Sequence, residues 1–312
     1  MSVMSAAGCE CLVIRIKINM NSNTNRVELI LLGLTGLAVV VLLFVYLQSS
    51  MELNRQYQVP VTELSVAVTE DLVEEGQRQA QIRGCYWCHG PSLEGQQYFA
   101  EAGRGLIAVA PNLTRKIREY SSAEFARAVR NGVKRDGTSV QPAMPSFAYY
   151  NMSDADMAAI IAYIGSQPEE EGVEGEFRLM PLGWFRHVGD KLPPNAAELI
   201  DHNAPRPQPD ADGDPVAHGR YLAESICTEC HGDNGRLRVP ITPDYVVAAT
   251  YSRENFHRLM RTGVPQDERK IDYHMVDVSK YRYVRFSDAE VDALYAYFLA
   301  LAGLSAAEGA GS

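Results

Sequence analysis

The sequence has almost no runs in which apolar and polar residues alternate, which excludes a fold built mainly from strands. It has no excess of positive charge. Lysine and arginine number 29 against 39 acidic residues, a formal charge of −10, and this argues against a nucleic-acid partner. Acidic clusters at Glu169-Glu170-Glu171 and from Asp210 to Asp214 suit a solvated surface or docking on a basic protein. The stretch from Leu29 to Leu47 lacks any charge. At helical rise it reaches roughly the 30 Å of a hydrocarbon core. It exceeds the apolar core of a signal peptide, about 7–15 residues, and no Ala-x-Ala-like site follows at Leu47-Gln48-Ser49-Ser50. A retained transmembrane anchor is therefore expected over residues 27–49. Arg15, Lys17 and Arg26 precede it, which puts residues 1–26 in the cytoplasm. Ser5-Ala6-Ala7-Gly8-Cys9 imitates a lipoprotein cleavage box, but no apolar segment precedes it. Cys9 and Cys11 then lie on the cytoplasmic side, and Met20 is an alternative start.

Cysteine is also scarce, with six in the chain. Four of them stand in two pentapeptides, Cys85-Tyr86-Trp87-Cys88-His89 and Cys227-Thr228-Glu229-Cys230-His231. In C-x-x-C-H spacing both thiols reach one edge of a porphyrin, and the adjacent histidine lies under the iron. Each pentapeptide therefore reads as a covalent haem site. The competing readings are a disulfide, a thioredoxin-like redox pair and a zinc site joining the two cysteine pairs. Zinc leaves the histidines spare. A redox pair needs a preceding strand, whereas the residues before Cys85 are helical and polar. A matching methionine downstream of each motif decides for haem.

The chain repeats itself. Phe125 to Met144 aligns without a gap on Phe256 to Met275, pairing Arg127 with Arg258, Arg130 with Arg261 and Gly132-Val133 with Gly263-Val264. The match returns at Ser153-Asp154-Ala155-Asp156 and Ser287-Asp288-Ala289-Glu290. Two copies of one unit mean two domains of one kind. Each copy orders its parts alike. A helix leads into the motif, Leu72 to Gly84 in one and Val216 to Ile226 in the other, the second opened by Asp214-Pro215. A loop follows, then a middle helix whose Ser121 and Glu124 have capping-box form. A turn presents the methionine, and a last helix opens at Ser153 or Ser287. Its apolar residues recur at helical spacing.

These features resemble the class I c-type cytochromes in a two-haem, membrane-anchored form. The resemblance rests on both C-x-x-C-H motifs, on Ala143-Met144-Pro145-Ser146-Phe147 and on the two Ser-Asp-x-Asp/Glu helices. It implies an all-α chain: an N-terminal transmembrane helix followed by two tandem class I cytochrome c domains. The domains are expected at 69–170 and 212–303, with a linker at 171–211 and a tail at 304–312. The linker's Phe177, Leu179, Trp184 and Phe185 suggest that part of it packs against a domain. Two haems are implied, attached through Cys85, Cys88, Cys227 and Cys230. The iron ligands are His89 and Met144 in one, and His231 and Met275 in the other. Pro111-Asn112-Leu113-Thr114 is similar to the family's haem-flanking loop, with Val239-Pro240-Ile241-Thr242 as its counterpart.

The second copy departs from the pattern. No proline follows Met275, the span to Ser287 is longer, and His274 stands beside it as a competing ligand. Met152 and Met157 compete with Met144 but fall where side chains pack, and Met260 aligns with core. His187, His202, His218 and His257 have no counterpart in the other copy. Methionine with histidine fills both iron faces and raises the potential, which suits electron transfer and not substrate chemistry. The expected function is transfer between periplasmic or membrane redox partners, as a subunit of a respiratory or photosynthetic complex. The alternative is a cytochrome subunit delivering electrons from a periplasmic dehydrogenase. A di-haem peroxidase needs an open ligand position, and a sensor needs an output domain, for which Ser305 to Ser312 leave no room. Partners are complex subunits, a soluble carrier or both, and the inner membrane, with the haem domains periplasmic.

Overall fold

A computed structural model describes residues 22–101, 103–207, 209, 213–232, 242–267 and 269–304. Cys9, Cys11, Met20, Val239, Pro240 and Ile241 lie outside these. The chain divides into two units, Met1–Val45 and Tyr46–Ser312.

The first unit carries most of helix α1, Ser22–Leu53. Its leucines and valines from Val27 to Leu43 are exposed all round the helix. Arg26–Leu53 is long and apolar enough to cross a membrane.

In the second unit the leading helix is α2, Glu70–Ile82, capped by Thr69. It starts two residues earlier than expected and stops before Gly84. The motif forms its own short helix α3, Cys85–His89. Strands β1, Gln96–Glu101, and β2, Leu106–Ala110, follow. Then come α4, Leu113–Glu119, α5, Ser122–Asn131, α6, Ser146–Tyr149, and α7, Asp154–Ser166. Strand β3, Glu176–Leu179, and α8, Pro181–Val188, come from the expected linker. The three strands make one antiparallel sheet in the order β1-β2-β3, with Leu106 opposite Leu179. The chain is thus mostly helical and not all-α. β3 draws its partner from more than sixty residues away (179 − 110 = 69), a pairing that local periodicity does not reveal.

The later half holds α9, Pro215–Leu222, with Asp214 as cap and Pro215 in the first turn. A π-helical turn, Ala223–Cys227, carries it into α10, Thr228–His231. A 3₁₀ turn, Tyr245–Thr250, precedes α11, Arg253–Thr262, α12, Tyr273–Tyr281, and α13, Asp288–Leu301. Capping follows the sequence closely. Ser121 and Ser287 each form a full capping box, with Glu124 and Glu290, and Ser153 accepts from Asp156 N. α5 and α11 both end on a left-handed glycine, Gly132 and Gly263.

Two helix crossings position everything else. A Cβ at Gly76 of α2 would lie 1.9 Å from the Ala159 carbonyl oxygen and 2.7 Å from Tyr163 Cβ on α7. A Cβ at Gly219 of α9 would lie 1.9 Å from the Ala293 carbonyl oxygen and 2.8 Å from Tyr297 Cβ on α13. Only glycine lets these backbones meet. One apolar core gathers Leu93, Phe125, Met152, Met157, Ile160 and Ile164, and another gathers Tyr221, Leu222, Ile226, Phe256, Leu294 and Phe298. Ile82, at the end of α2, belongs to the second core. The halves share that core and a polar seam. Arg78 grips Glu290 with two hydrogen bonds, at 2.8 and 3.0 Å. Arg83 reaches Asp156 at 2.9 Å, and Tyr221 of α9 donates to the same carboxylate. The Tyr221 hydroxyl also accepts from Ser153 N at 3.0 Å.

Candidate functional site

The first C-x-x-C-H motif folds as one short helix, Cys85–His89, while in the second Cys227 ends the π turn and Cys230 and His231 lie on α10. The four cysteines are free of disulfides. Burial pushes the thiols of Cys85, Cys88 and Cys230 up to about 11 and that of Cys227 to about 12. Among the described residues no cluster of three or more His, Cys, Asp or Glu side chains is placed to hold a metal ion, so the two cysteine pairs do not come together as a zinc site would need.

The histidines are held alike. His89 Nδ1 lies 2.8 Å from the carbonyl oxygen of Pro111, and His231 Nδ1 lies 2.8 Å from that of Pro243. A carbonyl only accepts, so Nδ1 carries the proton and Nε2 keeps its lone pair. Burial lowers the pKa of both rings against the opposing pull of the carbonyl, so each stays neutral, the form that ligates iron. The expected loop Pro111-Asn112-Leu113-Thr114 thus does its work through the Pro111 carbonyl, and Asn112 caps α4. At the second motif Pro243 supplies the carbonyl and Asp244 the cap, while Val239, Pro240 and Ile241 of the expected counterpart lie outside the described residues.

Met144 sits in the turn before α6, its amide bonded to the Gln141 carbonyl at 3.0 Å. It borders the core that also receives Cys85 and Tyr86. Met275 borders the core containing Cys227 and Tyr245. It lies in the first turn of α12 and not in a loop. Met152, Met157 and Met260 are packed at 1%, 0% and 3% exposure, deep in core and committed to it. His274 turns outward, with its Nδ1 2.7 Å from Asp272 Oδ1. His187 bonds Ser49, His202 bonds Asn131 and His257 pairs with Asp292. His218 lies near the Tyr221 ring.

The surroundings fit a bulky group with a polar edge at each motif. Ser146 Oγ lies two residues beyond Met144, and Ser225 Oγ two residues before Cys227. The Tyr245 hydroxyl belongs to a ring 5.2 Å from His231. All three are buried polar atoms without a protein hydrogen-bond partner. Free thiol pairs, neutral imidazoles with open Nε2 atoms and thioethers bordering the same cores as Cys85 and Cys227 fit the donor set of a c-type haem.

Comparison with known proteins agrees. Residues 73–168 match the family model described as Cytochrome c, so the chain contains a cytochrome c domain. It is 32% identical over 179 residues to the gluconate 2-dehydrogenase cytochrome c subunit of Pantoea cypripedii, covering 51% of this chain and 38% of that one. It is 27% identical over 183 residues to the cytochrome c subunit of a quinone alcohol dehydrogenase of Gluconobacter oxydans, covering 53% and 36%. The fructose dehydrogenase cytochrome subunit of Gluconobacter japonicus is 26% identical over 186 residues, covering 57% and 38%. The chain thus spans less than two fifths of the length of these relatives.

Proposed function

We propose that this chain, which contains a cytochrome c domain, is a membrane-anchored, two-haem electron-transfer subunit that takes electrons from a periplasmic dehydrogenase. The observation that carries the two-haem reading is the paired histidine geometry, with Nδ1 2.8 Å from a proline carbonyl at both motifs. The family model matches only the first copy, and the second reproduces its parts. Cys85 and Cys88 would hold one haem by thioether bonds, and Cys227 and Cys230 the other. His89 and His231 would offer Nε2 to the iron, and Met144 and Met275 would supply the thioether donors. A bound c-type haem supplies an iron that gains or loses one electron. The protein's part is to hold both axial donors ready, so that no position stays open for oxygen or peroxide.

Of the two expected settings, a respiratory or photosynthetic complex and a dehydrogenase, the relatives favour the dehydrogenase, since their names describe cytochrome subunits of such enzymes. The substrate of the dehydrogenase is not carried over. The apolar α1 supports an anchor in the inner membrane, with Arg26 on the cytoplasmic side and residues 69–303 outside. The test has two steps. A pyridine haemochrome assay of the purified chain is expected to give two haems per polypeptide, and one haem would end the two-haem reading. Native purification from membranes is expected to bring a dehydrogenase subunit with it. Recovery with a quinol-oxidising or photosynthetic complex instead would restore the first setting.

A further inference from the structure

The span from Met275 to Ser287 is three residues longer than that from Met144 to Ser153 (12 against 9). The structure shows what the extra chain does. It ends α12 at Arg282, whose side chain turns back into the seam between the halves and is 5% exposed. Its Nε donates to the Ile82 carbonyl at 2.8 Å, three residues before Cys85. Its Nη2 reaches Glu229 Oε2 at 2.9 Å, and Glu229 stands immediately before Cys230. The guanidinium carbon lies 2.9 Å from where a Gly84 Cβ would be, so the residue before Cys85 must be glycine to admit it. One buried cation therefore touches Glu229 inside the second motif and Ile82 and Gly84, the residues leading into the first. Its field reaches the thiols of Cys85, Cys88, Cys227 and Cys230, and its other titratable neighbours are Tyr149 and Tyr283.

We propose that Arg282 is a shared positioning and potential-setting residue for two haem centres. The proposal rests on the two-haem reading. Reduction of either iron adds one electron, and so one unit of negative charge, at a site enclosed by protein. A fixed cation beside both motifs favours that added charge at both, because a Coulombic term in a low-dielectric interior is poorly screened. Glu229 opposes it in sign, but its side chain is 29% exposed against 6% for Arg282, so water weakens the carboxylate's field more. The same two hydrogen bonds pin the end of α2 to α10, which fixes one motif against the other.

The full-length protein is titrated potentiometrically in detergent, after its haem content has been counted. Arg282→Gln is expected to lower both midpoint potentials together. The shift should be at least tenfold in the reduced-to-oxidised ratio at fixed potential, which is about 59 mV for a one-electron couple. Arg282→Lys should restore most of it. Glu229→Gln should raise both potentials, and it serves as the test if Arg282→Gln loses haem. A shift confined to one centre, or none in either variant, overturns the proposal. A wild-type count of one haem would instead strike at the two-haem reading beneath it.

Discussion

At the first motif the incoming helix stops, and at the second it does not. α2 ends at Ile82, Gly84 turns left-handed with φ +72°, and α3 begins afresh at Cys85. α9 instead passes through a π turn directly into α10. The break puts the Ile82 carbonyl at the end of α2, and Arg282 of the other half takes it. By contrast, the two copies have kept the same parts elsewhere. Gly76 and Gly219, Pro111 and Pro243, Ser153 and Ser287 hold equivalent places. The contact of Arg282 is one way in which this molecule differs from two independent copies.

The largest expected effect comes from removing a methionine. Met144→Ala and Met275→Ala should each leave one centre five-coordinate and high-spin, with a lower potential, because the soft thioether favours the reduced iron. Absorption and redox titration of each variant report this. If the copies are functional equivalents, the two variants should behave alike. A response at Met144 alone would break the equivalence at the ligand itself.

Next comes the seam. Arg83 is 1% exposed and pairs with Asp156 of its own half and, across the seam, with Tyr221, which also donates to Asp156. Arg83→Met strips the partly buried Asp156 carboxylate of its cation and removes one bond across the seam, and the cost should approach the roughly 3–5 kcal/mol of a broken buried pair. Guanidinium unfolding followed by circular dichroism should show it. The exposed Arg253–Asp292 pair, within one half, should cost under about 1 kcal/mol when broken. Equal losses at the two sites would show that the seam is no tighter than the surface.

Smaller again is the helix crossing. Gly76→Ala and Gly219→Ala each force a Cβ against a carbonyl oxygen, and overpacking of this kind costs about 1–3 kcal/mol. The distances are the same at both crossings, so the two losses should agree. A much smaller loss at Gly219 would mean that the second crossing yields where the first does not.

Most of the site was legible in the sequence because it is local. A capping serine announces itself by the acid three residues on, as at Ser121 and Ser287, and each C-x-x-C-H motif is a contiguous helical stretch. What was not legible depends on residues far apart in the chain. β3 pairs with β2 across four intervening helices, α4 to α7. The role of Arg282 depends on a carbonyl 200 residues away, and nothing in its own neighbourhood marks it. The Pro243 carbonyl was missed by three positions because Val239-Pro240-Ile241-Thr242 also offers a proline and a threonine. The capping residue after the proline, the amide of Asn112 in one copy and the carboxylate of Asp244 in the other, was the signal that separates them. Gly76 and Gly219 were also readable, each lying eight or nine residues before its first cysteine (85 − 76 = 9, 227 − 219 = 8).

The smallest effect is expected at His274, and it decides the ligand of the second centre. His274 stands next to Met275, and an imidazole there would give a bis-histidine iron of lower potential. The structure turns the ring away. Its side chain is 61% exposed, and Nδ1 is held by Asp272 Oδ1 at 2.7 Å. The same carboxylate accepts the His274 amide at 2.9 Å as the cap of α12, and the ring lies against Tyr273. The backbone and side-chain hydrogen bonds from His274 hold the Asp272 carboxyl below the usual range. Met275, one residue on, faces the core that contains Cys227. Neighbours on a helix point about 100° apart, so the two side chains cannot share one direction. His274→Ala should therefore leave the spectrum and potential of the second centre unchanged. It should cost only a few tenths of a kcal/mol, through the lost contact to the capping carboxylate. A high-spin or strongly shifted second centre in His274→Ala, with Met275→Ala silent, would reverse the assignment. The later half would then keep the fold of the earlier one without its iron ligand.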